Sequence, residues 1–155
     1  MYQAEVKRYA VEHLFPPSLG WSVVVHLDPM EMGIGQSAEK QTKAAECAAW
    51  LRQHGVKVME DHEFGRRDIV ARHPERGTVL VEVEGESSRQ REQALYSALG
   101  QAVLQMTEFK PNESYAIAVP DSADWERQLR KVPKAARDRL ALRLYMVSEI
   151  SYREV

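Results

Sequence analysis

The sequence predicts an α/β fold in which a mixed β-sheet is flanked by helices. Short β-rich runs alternate along the chain with apolar stripes at helical spacing. The chain has 155 residues, 44% of them hydrophobic and 28% charged, which is typical of one globular domain. No internal repeat and no Gly/Ser-rich linker divides it. We therefore predict a single domain.

The order of the sequence patterns divides the predicted domain into three parts. We predict residues 1–36 as an N-terminal arm, residues 37–120 as the core, and residues 121–155 as C-terminal helices and a strand. Within the arm, residues 2–14 have the pattern of a short helix that ends before a Pro-Pro pair. Residues 21–27 have the pattern of a strand.

The predicted core begins with a helix. Ser37 precedes an alanine-rich apolar stripe, and Gly55 is the expected left-handed cap at its end. Two β-rich runs follow, at residues 56–58 and 69–71. A third run, residues 78–84, alternates, so that valines occupy one face and the other face carries Leu80, Glu82 and Glu84.

In the rest of the chain, the sequence patterns predict a second core helix, a strand, an interrupted helix and a final strand. A capping-box pattern at Ser87 and Gln90 opens the second core helix. Residues 115–119 and 142–148 have strand patterns, and the helical segment 125–140 contains a proline break. The core order is therefore helix, three strands, helix, strand, which favours a mixed α/β architecture over a bundle or a barrel.

The amino-acid composition limits the classes of function and the cellular compartment that are compatible with the sequence. The formal net charge of −2 excludes a protein that coats nucleic acid through its overall charge. The single cysteine, Cys47, allows no internal disulfide and suits a core position in a reducing compartment. No apolar run is long enough for a membrane span and no signal-peptide pattern opens the chain, so we expect a cytoplasmic protein without membrane contact.

Three acidic residues could converge at the end of the predicted sheet. Glu82 and Glu84 are two residues apart on one strand and share a face, and Asp68 begins a neighbouring strand. Converging carboxylates repel one another unless a hard cation lies between them, so they favour an Mg²⁺ or Mn²⁺ site. The alternative from spacing alone is that strand-end acids on an exposed face are simply solvated.

The same residues resemble a known group of nucleases. The run from Gly65 to Ala71, followed by Val79-Leu80-Val81-Glu82-Val83-Glu84, is similar to the core motif of the PD-(D/E)XK, or restriction-endonuclease-like, superfamily. That motif has an aspartate on one strand, an acid on the next and a lysine two positions later. The resemblance covers about residues 37–120 and implies an α-β-β-β-α-β core preceded by the N-terminal arm.

The resemblance implies the roles of individual residues. Asp68 and Glu82 would be metal ligands for Mg²⁺ or Mn²⁺, and the carbonyl of Val83 would be a third oxygen ligand. Glu84 occupies the position of the motif lysine, where it would bind metal or accept a proton as a catalytic residue. The missing cation could come from elsewhere, and the alternatives are Lys40, Lys43, Arg89 and Arg91.

Polar residues on the two core helices extend the expected site. Superfamily members often place an additional acid on the first core helix, for which Glu39 and Glu46 are available, and Glu46 is preferred because it lies deeper in the helix. The second core helix carries the row Gln93, Ser97 and Gln101, which resembles the glutamines near superfamily active sites. We expect Gln101 to be catalytic and Gln93 to bind substrate. The alternative is an ordinary solvent-facing row.

The expected reaction is hydrolysis of a nucleic-acid phosphodiester, with DNA a more probable substrate than RNA by resemblance. Arg66, Arg67 and Arg89 would contact substrate near the acids. The segment 127–143 would add a phosphate-tracking surface, because it contains seven Lys and Arg residues against the single acid Asp138. Superfamily members commonly dimerise, so a homodimer is a further expectation. The alternative function is an inactive nuclease-fold module that binds nucleic acid or a protein partner.

Overall fold

A computed structural model of the protein describes residues 1–30, 32, 35, 37–60, 67–86, 90–108 and 110–155. Among these residues lie five α-helices and seven strands. The helices are α1 (Gln3–Leu14), α2 (Ala38–Gln53), α3 (Arg91–Leu104), α4 (Ala123–Leu129) and α5 (Lys134–Leu140). The strands are β1 (Ser22–His26), β2 (Lys57–Met59), β3 (Ile69–His73), β4 (Gly77–Val83), β5 (Glu113–Pro120), β6 (Leu142–Val147) and β7 (Tyr152–Glu154).

All seven strands form one mixed sheet in the order β2-β1-β3-β4-β5-β6-β7. The pairs β1/β3, β3/β4 and β6/β7 are antiparallel, whereas β1/β2, β4/β5 and β5/β6 are parallel. The predicted fold class, a mixed sheet flanked by helices, is confirmed. The predicted order of helix, three strands, helix and strand is also observed, from α2 through β5.

Helices cover both faces of the sheet because the strands alternate apolar side chains between them. On one face, Val81 and Val83 of β4 pack in a cluster with residues of α1 and α2. On the other face, Leu80 of β4 packs in a second cluster with α3 and α4, whose largest member is the fully buried Trp125. The predicted division of β4 into two faces is therefore confirmed.

Helix α1 and strand β1, which lie within the predicted arm, are part of this core and its sheet. Val6, Ala10 and Val11 of α1 are fully buried, and they belong to the same cluster as the central strands. Strand β1 lies inside the sheet between β2 and β3. The arm prediction fails because the apolar side chains of α1 have their partners far along the chain, which local patterns cannot indicate.

The other predicted helices and strands are observed, and they differ from the prediction only in the residues at which they begin and end. Ser37 caps α2 by accepting a hydrogen bond from the Lys40 amide, and Cys47 is a buried core residue, as predicted. Helix α3 begins at Arg91 after the N-cap Gln90, which makes no side-chain capping bond, so the capping-box start predicted at Ser87 is wrong. Ser87 itself lies outside the described residues.

Candidate functional site

The pairing of β3 with β4 brings Asp68 and Glu82 together. The antiparallel register places Ile69 opposite Val81, so the next pair outward is Asp68 and Glu82. The two acids therefore meet where β4 ends and β3 begins. Asp68, just before β3, and Glu82, on β4, are thus neighbours in space although they are 14 positions apart in the sequence.

Each carboxylate oxygen of Asp68 has a partner. Oδ2 accepts a hydrogen bond from the Val83 amide at 2.8 Å, and Oδ1 lies 2.6 Å from the ammonium of Lys7. Lys7 also donates to the His26 carbonyl at 2.7 Å, and its side chain has no solvent exposure. Asp68 is thus held by backbone on one side and by a fully buried cation on the other.

Glu82 is a buried acid with an unusual protonation equilibrium. It is 3% exposed, and its Oε1 atom has no hydrogen-bond partner among the described residues. Burial, reinforced by the negative charge of Asp68, raises the pKa of Glu82 to about 8, although Gln105, Lys7 and Arg67 act in the opposite direction. At neutral pH the carboxyl is therefore mostly protonated.

Arg67 and Gln105 border the acidic pair. The Arg67 guanidinium donates from Nε to the Gln105 side-chain oxygen at 3.1 Å and from Nη2 to the Gln105 carbonyl at 3.3 Å. This double contact joins the segment before β3 to the C-cap of α3. It fixes a half-buried positive charge within electrostatic range of Glu82.

The structure places the other predicted ligands differently. The Val83 carbonyl accepts a hydrogen bond from the Gln3 side chain at 2.6 Å. Glu84 follows the last residue of β4, and its amide donates to the Ala118 carbonyl at 3.0 Å. Among the described residues, no group of three His, Cys, Asp or Glu side chains is arranged to hold a metal ion, and the three-acid cluster does not form.

The predicted helix residues do not contact the acidic pair. Glu46 is exposed on α2, away from the buried side that faces α1. Gln93 and Gln101 are exposed on α3 and their side chains form no hydrogen bond with described residues, which fits the solvent-facing alternative. The glutamine that does approach Glu82 is Gln105, one turn after Gln101. Arg66 and Arg89 lie outside the described residues.

Lys7 is the cation that sequence reasoning missed. Two of the predicted alternatives pair with other acids: Lys43 contacts Glu5 at 3.0 Å and Arg91 contacts Asp124 at 3.2 Å. Lys40 forms no ion pair with any described residue, and Arg89 lies outside the residues that the structure describes. A signal for Lys7 was present, because it lies three residues after Ala4 and four before Val11 on the apolar stripe of α1. A lysine on such a stripe requires a buried partner.

The basic segment 127–143 is largely neutralised by local acids. Arg130 contacts Glu126 at 2.6 Å, Lys131 contacts Glu92 at 3.0 Å, and Lys134 contacts Asp138 at 2.6 Å. The charge excess read from the sequence therefore overstates the free positive charge of this surface. Arg139 remains exposed and without an ion pair among the described residues.

The donor set of the acidic pair suits a hard divalent cation. Asp68 and Glu82 supply the carboxylate oxygens that Mg²⁺ and Mn²⁺ prefer. Glu82 Oε1 is a buried acceptor without a partner, and an adjacent cation would satisfy it and favour the ionised carboxyl. Two acidic side chains are therefore available to such an ion, although both oxygens of Asp68 already have partners within the protein.

Comparisons with known proteins give one structural similarity. No family model and no curated protein matches the chain. An XisH family protein from Nostoc punctiforme has a similar solved structure, with a TM-score of 0.46 and 15% sequence identity over 99% of this chain and 98% of that one. Within the described residues, no helix is both long enough and apolar enough to cross a membrane.

Proposed function

We propose that the protein is a metal-dependent hydrolase of nucleic-acid phosphodiesters, with DNA preferred over RNA. The observation that carries the proposal is the buried Glu82 carboxyl, which has an unpartnered oxygen opposite Asp68 and lies near a buried lysine. A buried carboxyl with a raised pKa, such as that of Glu82, is typical of functional sites. The resemblance to the PD-(D/E)XK superfamily points to the same two residues.

In this proposal each residue has a defined task. Asp68 and Glu82 hold Mg²⁺ or Mn²⁺, which would polarise the phosphoryl group and lower the pKa of the attacking water. Lys7 supplies the positive charge that Glu84 cannot supply at the motif position. Arg67, fixed on Gln105, offers a guanidinium to a substrate phosphate. Glu82 loses its proton when it binds the cation, so metal affinity rises with pH.

The decisive variant is Glu82→Gln. Because Glu82 is mostly protonated at neutral pH without metal, the neutral amide closely replaces it and the fold is retained. We expect purified wild-type protein to nick plasmid DNA with Mg²⁺ or Mn²⁺, and we expect Glu82→Gln to lose at least about 100-fold in rate, the scale of one catalytic group. Circular dichroism and thermal melting confirm that the variant is folded.

The matched control is Asp138→Asn, which neutralises an exposed acid paired with Lys134. It should cleave like the wild type. Metal-dependent cleavage that survives in Glu82→Gln would contradict the role proposed for Glu82. No cleavage of DNA or RNA by the wild type, together with no heat of Mn²⁺ binding in calorimetry, would overturn the proposal.

One observation favours a second candidate, a non-catalytic module that binds nucleic acid or a protein partner. Both oxygens of Asp68 are already engaged, by Lys7 and by the Val83 amide. In that case nucleic-acid binding would be insensitive to EDTA and unchanged by Glu82→Gln, and its salt dependence would give the number of phosphates neutralised. The cleavage assay and this binding assay therefore separate the two candidates.

A further inference from the structure

A cavity lies at the opposite end of the central strands from the acidic pair. It has a volume of about 300 Å³ and is lined by the end of α1 and by residues of β4, β5, β6 and β7. Val79, which lines it, is four residues before Val83 on β4, or roughly 13 Å at the rise of a strand. The volume is at the lower end of the range for small-molecule sites.

Aromatic side chains form much of its wall. Trp21 is 7% exposed and packs edge-on against Phe15, with ring centroids 5.0 Å apart. Its Nε1 donor has no hydrogen-bond partner among the described residues. Tyr145 and Tyr152 form a second edge-on pair at 6.1 Å, and Tyr152 is 48% exposed. The wall therefore offers one accessible ring, that of Tyr152, beside the buried ring of Trp21.

Two arginines give the cavity a positive charge. Arg76, from the turn before β4, and Arg143, from β6, are both exposed and both line it. Neither forms an ion pair with a carboxylate in the described part of the chain. The acid that acts on Arg143 electrostatically is Glu154, which is opposite Tyr145 in the β6/β7 register. Two guanidinium groups without ion-pair partners favour a phosphate-bearing ligand.

We propose that this cavity binds a nucleotide. Arg76 and Arg143 contact the phosphate, the base stacks on the exposed ring of Tyr152, and the Trp21 ring lies in the wall beside the ligand. The chemistry is shared by a free mononucleotide and by one nucleotide unit of a single strand. This proposal does not rest on the phosphodiesterase proposal, because none of these residues belongs to the acidic pair.

The test uses the indole N–H signals of the full chain in ¹⁵N-labelled form. The protein has three tryptophans, and Trp21→Phe identifies the signal of Trp21. AMP and a 5′-phosphorylated oligothymidylate are titrated separately, with EDTA present so that no cleavage occurs. We expect saturable movement of the Trp21 signal with at least one of them. AMP alone indicates a free nucleotide, and the oligonucleotide alone indicates a strand.

The variants make the assignment specific. Arg143→Ala should weaken binding by about 10-fold or more, since it removes a charged hydrogen-bond donor to phosphate. Arg139→Ala, an exposed arginine on α5, is the matched control and should leave the affinity unchanged.

Three results would overturn the proposal. The first is a Trp21 signal that does not move at millimolar concentrations of either ligand. The second is inorganic phosphate that binds as tightly as AMP, which would show a simple anion site. The third is equal weakening by Arg139→Ala and Arg143→Ala, which would show non-specific charge attraction. The unchanged signals of Trp50 and Trp125 report that each variant is folded.

Discussion

Two lysines of this protein form ion pairs of the same length in opposite environments. Lys7 lies 2.6 Å from Asp68 and has no exposure, whereas Lys134 lies 2.6 Å from Asp138 and is 78% exposed. Charges in water are screened and already well solvated, so the exposed pair contributes little. Charges inside the protein have lost their hydration and depend on each other. Distance alone therefore does not measure what an ion pair contributes.

The comparison also explains where function is expected. The buried pair is joined by Glu82, whose protonation responds to its surroundings, and by Arg67 on Gln105. The exposed pairs of the segment 127–143 connect neighbouring turns of short helices. A buried charge needs oppositely charged or hydrogen-bonding groups beside it. It therefore indicates a site better than a larger number of exposed charges does.

The largest expected effect is that of Lys7→Met. It removes the buried cation while keeping a flexible side chain, which leaves Asp68 uncompensated and the His26 carbonyl without this donor. We expect the free energy of unfolding to fall by about 3–5 kcal/mol. Urea denaturation at neutral pH measures it. Adding Asp68→Asn to Lys7→Met should recover part of the lost stability. If Lys7→Met alone costs less than about 1 kcal/mol, water replaces the lysine as the partner of Asp68.

A smaller effect is expected from pH. The folded-state pKa of Glu82 is about 8, above its usual value of 4.5, so the folded protein binds more protons than the unfolded chain between these values. The contribution of Glu82 to the free energy of unfolding is therefore most favourable below about pH 4.5 and declines as pH rises to about 8, by up to about 1.4 kcal/mol per pH unit.

Glu82→Gln tests this dependence, because an amide has no proton to lose. The free energy of unfolding of the wild type and of the variant is measured by denaturation between about pH 4.5 and 8. The difference between the two should change with pH, and the variant should gain stability relative to the wild type towards pH 8. Parallel curves would show that Glu82 is ionised in the folded protein throughout.

The smallest effect is expected from Lys134→Met, the exposed counterpart of Lys7→Met. It breaks a pair that is open to solvent, so stability should change by no more than about 0.5 kcal/mol. The same denaturation assay measures it. A loss comparable to that of Lys7→Met would contradict the distinction between the two environments.

Local patterns predicted most of the elements and part of the site. The stripe after Ser37 and the alternation along β4 depend on near neighbours, so the sequence shows them directly. The pairing of Asp68 with Glu82 was also predictable, because two successive strands commonly pair. The participation of Lys7 and Gln105 was not, because their partners lie far away in the sequence.

The sequence by itself determined the mixed α/β class, the order of the core elements and the two acids. Those features follow from periodicity, turn chemistry and residue type, which act over a few positions. Only the tertiary structure decided that α1 belongs to the core, that Lys7 neutralises Asp68 and that Glu82 is protonated at neutral pH. Burial and long-range packing set charge compensation and pKa, and neither is encoded within one local segment.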